Sequence, residues 1–300
     1  MATYYTDQTI VYHDGDFVRA AQAMTDLYSQ SMHYGYAVFE GIRAYRTRDG
    51  QARIFKAPEH FARLRESARA LNMPYPYRDG DLIEAAYEVL LRNGLQDAYI
   101  RPLVYAPANM SFSRNERSHL VIEAWEMAPF LGSRLLKVMT SSLQRPNPRA
   151  FPMHAKASGL YVNSILASQE ARARGYDEAL LTDVEGRVAE GPGANVFFEK
   201  DGRLYTPAPG HILAGITRAT VLELCARLNI PVAEKPVSLD ELRQADAAFF
   251  CGTAAEVIGW SHLDDRAFPV AWEATQSKRI QDAYLELVRQ PVYKPTAETV

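Results

Sequence analysis

The chain has 300 residues, of which 47% are hydrophobic and 23% charged, and its formal net charge is −3. This balance is typical of a globular protein with one large or two smaller domains, and it gives no reason to expect nucleic acid or an acidic membrane surface as a partner. No apolar run approaches the ~20 residues that cross a bilayer. Residues 1–8 have neither the basic stretch nor the apolar core of a secretion signal, so we expect a cytoplasmic protein.

The two cysteines, Cys225 and Cys251, lie far apart and have no CxxC spacing. That arrangement argues against a disulfide framework and against a zinc site, so we expect no bound metal.

Short strands and two helices are predicted for the first part of the chain. In chain order they are strands at residues 10–12 and 16–18, helices at 58–72 and 81–93, and strands at 98–105 and 119–125. Asp14-Gly15 is a strong hairpin signal. Asp81 and Glu84 have the spacing of a capping box, and Gly94 is placed to end that helix.

The pattern breaks near residues 128–132, which predicts a linker between two domains. Beyond it we predict a helix at 161–174, strands at 179–182 and 195–198, and helices at 217–228 and 271–288. Residues 200–203 predict a hairpin turn, and Ser238 with Glu241 forms a second capping box.

Two short segments carry the strongest chemical signal. In the first, Lys156 stands among small residues in His-Ala-Lys-Ala-Ser-Gly-Leu-Tyr, which ends at Tyr161. In the second, Glu190 precedes Gly-Pro-Gly-Ala-Asn, whose glycines allow close approach of a ligand. By position alone a lysine is most often a solvated charge, and a glutamate beside glycines is most often a turn carboxylate.

A second signal comes from Tyr99-Ile100-Arg101. In a strand, Tyr99 and Arg101 point to the same face because side chains alternate. Arginine is costly to bury without an acidic partner, so an arginine that faces a pocket implies an anionic ligand.

These segments resemble the branched-chain aminotransferases, which belong to the class IV pyridoxal-phosphate-dependent aminotransferases. The resemblance runs from residue 10 to about residue 288, with the motifs in family order. It implies a mixed α+β fold, with a small α/β domain at residues 1–127, an interdomain loop at 128–136, and a larger pseudo-barrel α/β domain at 137–300 that binds the cofactor. It also implies a homodimer or higher homo-oligomer, in which a partner loop lies near the active site.

The resemblance implies a role for each of a set of residues. Lys156 would be the catalytic residue, forming a Schiff base with pyridoxal 5'-phosphate and moving the substrate proton. The implied cofactor-binding residues are Arg63, Lys156, Tyr161, Glu190, Leu213, Ile216, Thr217 and Thr253. The implied substrate-binding residues are Tyr34, Phe39, Tyr99, Arg101, Phe130, Thr253 and Ala254.

Three positions depart from the family pattern. Ala194 stands where many members carry a second glutamate, and Phe130 replaces a tyrosine that is often found in the interdomain loop. Residues 106–112 differ from the usual glycine-rich loop that reaches the neighbouring subunit. These departures concern the substrate more than the cofactor.

We therefore expect transamination between L-leucine, L-isoleucine or L-valine and 2-oxoglutarate. The same fold also serves D-amino acid and (R)-amine transaminases, from which Tyr34 and the Tyr99–Arg101 pair favour the L-branched-chain type. A pyridoxal-phosphate lyase of the aminodeoxychorismate lyase type would need no second amino acceptor. A non-catalytic cofactor-binding protein would have no need of the lysine, tyrosine and glutamate together.

Overall fold

The structure, a computed structural model, describes residues 4–127 and 131–291. Two β-sheets carry the helices that pack on them. The α-helices are α1 (Gln30–Tyr34), α2 (Ala57–Ala70), α3 (Asp79–Arg92), α4 (Tyr161–Ala173), α5 (Ile216–Arg227), α6 (Leu239–Arg243) and α7 (Gln276–Val288). The strands are β1 (Ile10–His13), β2 (Asp16–Arg19), β3 (Ala37–Phe39), β4 (Ile42–Arg46), β5 (Ala52–Ile54), β6 (Ala98–Tyr105), β7 (His119–Glu126), β8 (Leu136–Gln144), β9 (Glu178–Thr182), β10 (Val188–Glu190), β11 (Asn195–Lys200), β12 (Arg203–Pro207), β13 (Val232–Lys235), β14 (Ala247–Gly252), β15 (Glu256–Leu263) and β16 (Arg266–Ala267).

Strands β1 to β7 form one antiparallel sheet in the order β2-β1-β7-β6-β4-β5, with β3 also paired to β6. In the central pair, Arg101 of β6 lies opposite Glu123 of β7, and Tyr99 lies opposite Trp125. Because side chains alternate, these four residues share one face of the sheet. The even-numbered residues of both strands point to the other face, where α2 and α3 cover them.

Strands β8 to β16 form a second sheet of nine strands. Because β10 pairs with both β9 and β11, the strands β10-β9-β8-β15-β14-β11 close into a ring. The closing contact joins Glu190 of β10 to Asn195 of β11. This closed sheet confirms the predicted fold class, a mixed α/β chain whose larger part is barrel-like.

The two sheets share an apolar cluster. Tyr45 of β4 and Phe55 after β5 are buried with Tyr284 of α7, and the ring centroids of Phe55 and Tyr284 lie 6.1 Å apart. Full burial of one large apolar side chain stabilises a fold by roughly 1.5–3 kcal/mol. The cluster therefore holds the two sheets, and any site between them, in a fixed relation.

Most of the predicted elements are confirmed within one or two residues, and two details are wrong. Helix α3 begins at Asp79 with Arg78 as its N-cap, so Asp81 is already inside the helix and forms no capping box. Asp79, the first residue of the helix, pairs instead with Arg65 of α2. The last helix is also shorter than predicted. Thr275 has extended backbone and its hydroxyl accepts from Lys278 N–H, so α7 begins at Gln276 after a separate 3-10 turn.

Across residues 4–127 and 131–291, no helix combines the length and apolar character needed to traverse a lipid bilayer.

Candidate active site

Lys156 lies on the segment between β8 and α4, where the two sheets meet. Its backbone N–H donates to Ser67 Oγ of α2 at 3.0 Å, and its carbonyl accepts from Phe39 N–H at 3.0 Å. These bonds fix the main chain from which the half-buried side chain extends. The Lys156 Nζ lies 2.6 Å from the hydroxyl of Tyr161, the first residue of α4, and 5.0 Å from the centre of the Phe39 ring. The amine is thus held by one hydroxyl beside an aromatic ring.

Glu190 is a buried carboxylate at the point where the barrel closes. It accepts hydrogen bonds from Asn195 Nδ2 at 3.0 Å and from Leu213 N–H at 3.1 Å. The Arg145 Nε lies 3.0 Å from Glu190 Oε1. Burial raises the pKa of the Glu190 carboxyl, and the charges of Arg145 and Lys156 limit that rise. The barrel therefore holds a carboxylate whose charge is only partly compensated.

The amino end of α5 lies against Asn195, which donates to this carboxylate. A Cβ at Gly215 would lie 1.9 Å from Asn195 Oδ1, so only glycine fits before α5. The helix begins at Ile216, and Thr217 is buried in its first turn. Its first backbone N–H groups and its dipole favour an anion here.

The turn that follows β14 lies at the same end of the barrel. Cys251, which precedes that turn, pairs with Asn195 across β14 and β11. The turn itself begins with Thr253 and Ala254, which are partly buried, as is Gly252 at the end of β14. The structure therefore brings the predicted residues Thr217, Thr253 and Ala254 to one end of the barrel.

Arg63 reaches the same region from α2. Its Nε and Nη2 donate to the two oxygens of Glu40 at 2.7 and 2.8 Å, while its Nη1 donates to the Ala214 carbonyl at 3.0 Å. His60 Nδ1 donates to Glu40 Oε2 at 2.7 Å. Burial opposes ionisation of Glu40, but Arg63 overcomes this and holds the pKa of the Glu40 carboxyl well below its usual range. Burial lowers the pKa of the His60 imidazole, and the adjacent Glu40 opposes this shift.

Aromatic rings surround the Arg101 guanidinium on the face of the first sheet that points away from α2 and α3. Its carbon lies 4.5 Å from the ring centre of Phe39, 5.2 Å from that of Tyr99 and 5.9 Å from that of Trp125. Its Nη2 donates to the Tyr99 hydroxyl at 3.1 Å. Within the described residues the buried Arg101 Nε has no hydrogen-bond partner. The predicted placement of Tyr99 and Arg101 on one face is confirmed.

Two predicted substrate residues are not part of this group. Tyr34 is 46% exposed, and it lies against Phe112, with ring centroids 5.4 Å apart, and near the Met110 carbonyl. Phe130 lies outside the described residues. Their roles remain predictions.

Several site residues were missed by the sequence prediction. Glu40, Arg145 and Asn195 each hold a predicted residue. Glu40 and Arg145 are distant in sequence from the residues that they hold, whereas Asn195 is only five residues from Glu190. One signal was available: His60 and Ser67 put polar side chains on the buried stripe of α2, where apolar residues are expected. A polar stripe on an amphipathic helix indicates buried polar partners.

Comparison with known proteins places the chain among characterised relatives. A family model described as amino-transferase class IV matches residues 37–263. A branched-chain-amino-acid aminotransferase of Pseudomonas aeruginosa is 40% identical over 285 residues, which are 93% of this chain and 92% of the relative.

Two solved structures are also similar. The branched-chain aminotransferase of Thermoproteus uzoniensis with norvaline has a TM-score of 0.90 and 36% identity, and the match covers 94% of this chain and 95% of that one. The branched-chain amino acid aminotransferase of Thermobaculum terrenum in its PLP-form has a TM-score of 0.88 and 33% identity, with 94% of this chain and 94% of that one covered.

Proposed function

Since the chain belongs to the class IV aminotransferases, we propose that it transfers the amino group of L-leucine, L-isoleucine or L-valine to 2-oxoglutarate, with pyridoxal 5'-phosphate as cofactor. The proposal concerns a ping-pong reaction, in which the amino group is held on the cofactor between the two substrates. The enzyme class rests on the family, and the substrates rest on the relatives and on the pocket.

One observation carries the proposal. Both the Lys156 Nζ, at 5.0 Å, and the Arg101 guanidinium, at 4.5 Å, lie close to the centre of the Phe39 ring. A nucleophilic amine therefore adjoins a pocket that offers aromatic surface and one cation. That combination suits a substrate with a reacting α-carbon and a side chain that is either apolar or anionic.

The donor groups of the site suit the proposed cofactor. The cofactor would be held by Arg63, Lys156, Tyr161, Glu190, Leu213, Ile216, Thr217 and Thr253. The helix end at Ile216 and the side chains of Thr217, Thr253 and Arg63 supply donors for a phosphate. The buried Glu190 carboxylate suits a protonated ring nitrogen, because a charge there would compensate its own. When bound, the cofactor supplies a carbonyl carbon that takes the amino group and a ring that accepts electrons.

The chain's own residues would then manage the proton and the orientation. Lys156 would carry the proton on its Nζ to and from the substrate α-carbon, as a general base and then a general acid. The Tyr161 hydroxyl, 2.6 Å from that Nζ, would orient the amine. The Phe39 ring limits the positions that the amine can take and excludes water from one side of it.

Substrate binding would use both ends of the pocket. Tyr99, Phe39 and Phe130 would contact the apolar side chain, and Thr253 and Ala254 would bind the α-carboxylate through their backbone N–H groups. The free Nε of Arg101 would bind the γ-carboxylate of glutamate or 2-oxoglutarate.

We propose a homodimer or a higher assembly of such dimers. Support comes from exposed apolar side chains that gather on α1 and on the loop after β6: Met32, Tyr34, Met110 and Phe112 are between 46% and 91% exposed. Such a patch marks an interaction surface. In this arrangement a loop of one subunit would lie near the active site of its partner.

We also propose that residues 1–127 and 137–300 are separate domains joined by the loop 128–136. The change of sheet between β7 and β8 supports this division. A cytoplasmic location is proposed as well, and the two buried cysteines with free thiols, Cys225 and Cys251, are consistent with a reducing compartment.

An anaerobic half-reaction tests the proposed function. Cofactor-loaded protein is mixed separately with L-leucine, D-alanine and (R)-1-phenylethylamine while the absorbance of the bound cofactor is followed. We expect L-leucine to bleach the band fastest and 2-oxoglutarate to restore it. A faster reaction with D-alanine or with the amine would refute the substrate assignment. Bleaching that 2-oxoglutarate does not reverse would point to a lyase.

A further inference from the structure

Arg101 has an acidic neighbour that the reaction does not require. Glu123 of β7 is the direct cross-strand partner of Arg101 of β6, so both side chains extend from the same face of the sheet. That face also carries Tyr99 and Trp125, which surround the guanidinium. Glu123 thus stands at the side-chain pocket rather than on the face covered by α2 and α3.

The two charges interact without forming a contact ion pair. The Arg101 Nη2 donates to the Tyr99 hydroxyl, and the Arg101 Nε keeps no partner among the described residues. Glu123 is exposed, yet nearby protein desolvates its carboxyl and raises its pKa, while Arg101 opposes that rise. A donor of Arg101 therefore stays available while the carboxylate acts on the guanidinium through space.

We propose that Glu123 is a specificity-determining residue, which lowers the affinity of the Arg101 pocket for anionic side chains and so favours apolar ones. The proposal rests on the proposed function, because it assumes that Arg101 faces the substrate side chain. The Glu123 carboxylate repels a second carboxylate that approaches Arg101. It also compensates the guanidinium when an apolar side chain fills the pocket, so no lone cation has to be desolvated.

Glu123→Gln removes the charge and keeps the shape of the side chain. The matched control is Glu126→Gln, which makes the same charge change on the same strand. Glu126 is also exposed, but it lies opposite Ala98 and so points to the other face of the sheet. Both variants change the net charge of the protein equally.

The experiment uses the aminated, pyridoxamine phosphate form of each enzyme and follows the single half-reaction with a 2-oxo acid. 2-Oxoglutarate and 4-methyl-2-oxopentanoate are compared, because both carry the α-carboxylate and only the first has an anionic side chain. In Glu123→Gln we expect the Kd of 2-oxoglutarate to fall by about three- to tenfold, the scale of one charge at close range in a partly solvated pocket. The Kd of 4-methyl-2-oxopentanoate should not fall, and Glu126→Gln should alter neither value by more than about twofold.

The outcomes separate this proposal from the proposed function. If the wild-type enzyme reacts with neither 2-oxo acid, the proposed function is wrong and this proposal falls with it. Suppose instead that the wild type reacts. If Glu123→Gln then changes both Kd values alike, changes neither, or raises the Kd of 2-oxoglutarate, only this proposal is overturned. If the pair merely stabilises the sheet, Glu123→Gln would lower the free energy of unfolding without changing the ratio of the two Kd values. If Glu123→Gln does not fold, Glu123→Ala serves in the same comparison.

Discussion

Glu40 is predicted to be the buried anchor of the phosphate end of the site, and Glu40→Gln tests this. The wild-type carboxylate is fully buried and accepts from Arg63 at 2.7 and 2.8 Å and from His60 at 2.7 Å. Glutamine at this position removes the charge and places an amide NH2 group, itself a donor, against the donors of Arg63 and His60. Breaking a buried ion pair by neutralising one partner costs roughly 3–5 kcal/mol, so we expect a loss of this size in the free energy of unfolding.

Urea unfolding of the cofactor-free protein measures that loss, and Glu59→Gln is its control. Glu59 lies on α2, the helix that carries His60 and Arg63, and pairs with Lys56 at 3.3 Å, but its side chain is 48% exposed. Its replacement should therefore change the free energy of unfolding by no more than about 0.5 kcal/mol. Because Arg63 also holds the carbonyl before α5, Glu40→Gln should weaken cofactor binding as well. A Glu40→Gln protein within about 1 kcal/mol of wild type would refute the buried-anchor argument.

The ion pair between Glu40 and Arg63 also predicts how the free energy of unfolding depends on pH. Arg63 holds the pKa of folded Glu40 well below the ordinary value of 4.5. A carboxyl whose pKa is lowered by folding stabilises the fold above its unfolded pKa and loses that contribution as the pH falls. The stability difference between wild type and Glu40→Gln should therefore be constant from pH 7 to about 5.5 and shrink below about 4.5. A difference that grows on acidification would contradict this assignment.

Two further predictions concern the barrel and the substrate pocket. Arg145→Met leaves the buried Glu190 without its nearest cation, so the pKa of the folded Glu190 carboxyl should rise further. A carboxyl whose pKa is raised by folding destabilises the fold where it is ionised, so the variant should lose roughly 3–5 kcal/mol in the free energy of unfolding by urea at pH 7.5 and less at pH 5.5. An equal loss at both pH values would speak against this. Gly41→Ala would place a Cβ 1.9 Å from the Tyr99 hydroxyl and so displace Tyr99 from Arg101. Its KM for L-leucine should rise about 10- to 100-fold while cofactor absorbance stays normal, and an unchanged KM would show that Tyr99 does not shape the pocket.

The local elements could be predicted because their signals are local. Asp14 and Gly15 adopt the positive φ angles of a tight hairpin turn, as their dipeptide predicts. Helix α2 follows from apolar residues at helical spacing, and its observed range, Ala57–Ala70, lies within two residues of the prediction. The start of α3 was not predicted correctly, because its N-cap, Arg78, makes no side-chain capping hydrogen bond and so leaves no capping signal in the sequence.

Arg145 could not be recognised as a supporting residue because its partner, Glu190, is far away in sequence. Arg145 and Glu190 meet only because β8 and β10 both join the closed barrel. Strands β14 and β15 were missed for a related reason. They are buried on both sides, so they lack the alternation of apolar and polar residues that marks a half-buried strand. The roles proposed for Lys156 and Glu190 came from resemblance, since a lone lysine or glutamate carries little information.

The most direct test of the account is the identity of the lysine that holds the cofactor. Cofactor-loaded protein is reduced with borohydride, digested and analysed by mass spectrometry. We expect a pyridoxyl modification on the peptide that contains Lys156, and no modification in Lys156→Ala. A label on another lysine, or an unlabelled Lys156 in a protein that still transaminates L-leucine, would contradict the proposed site.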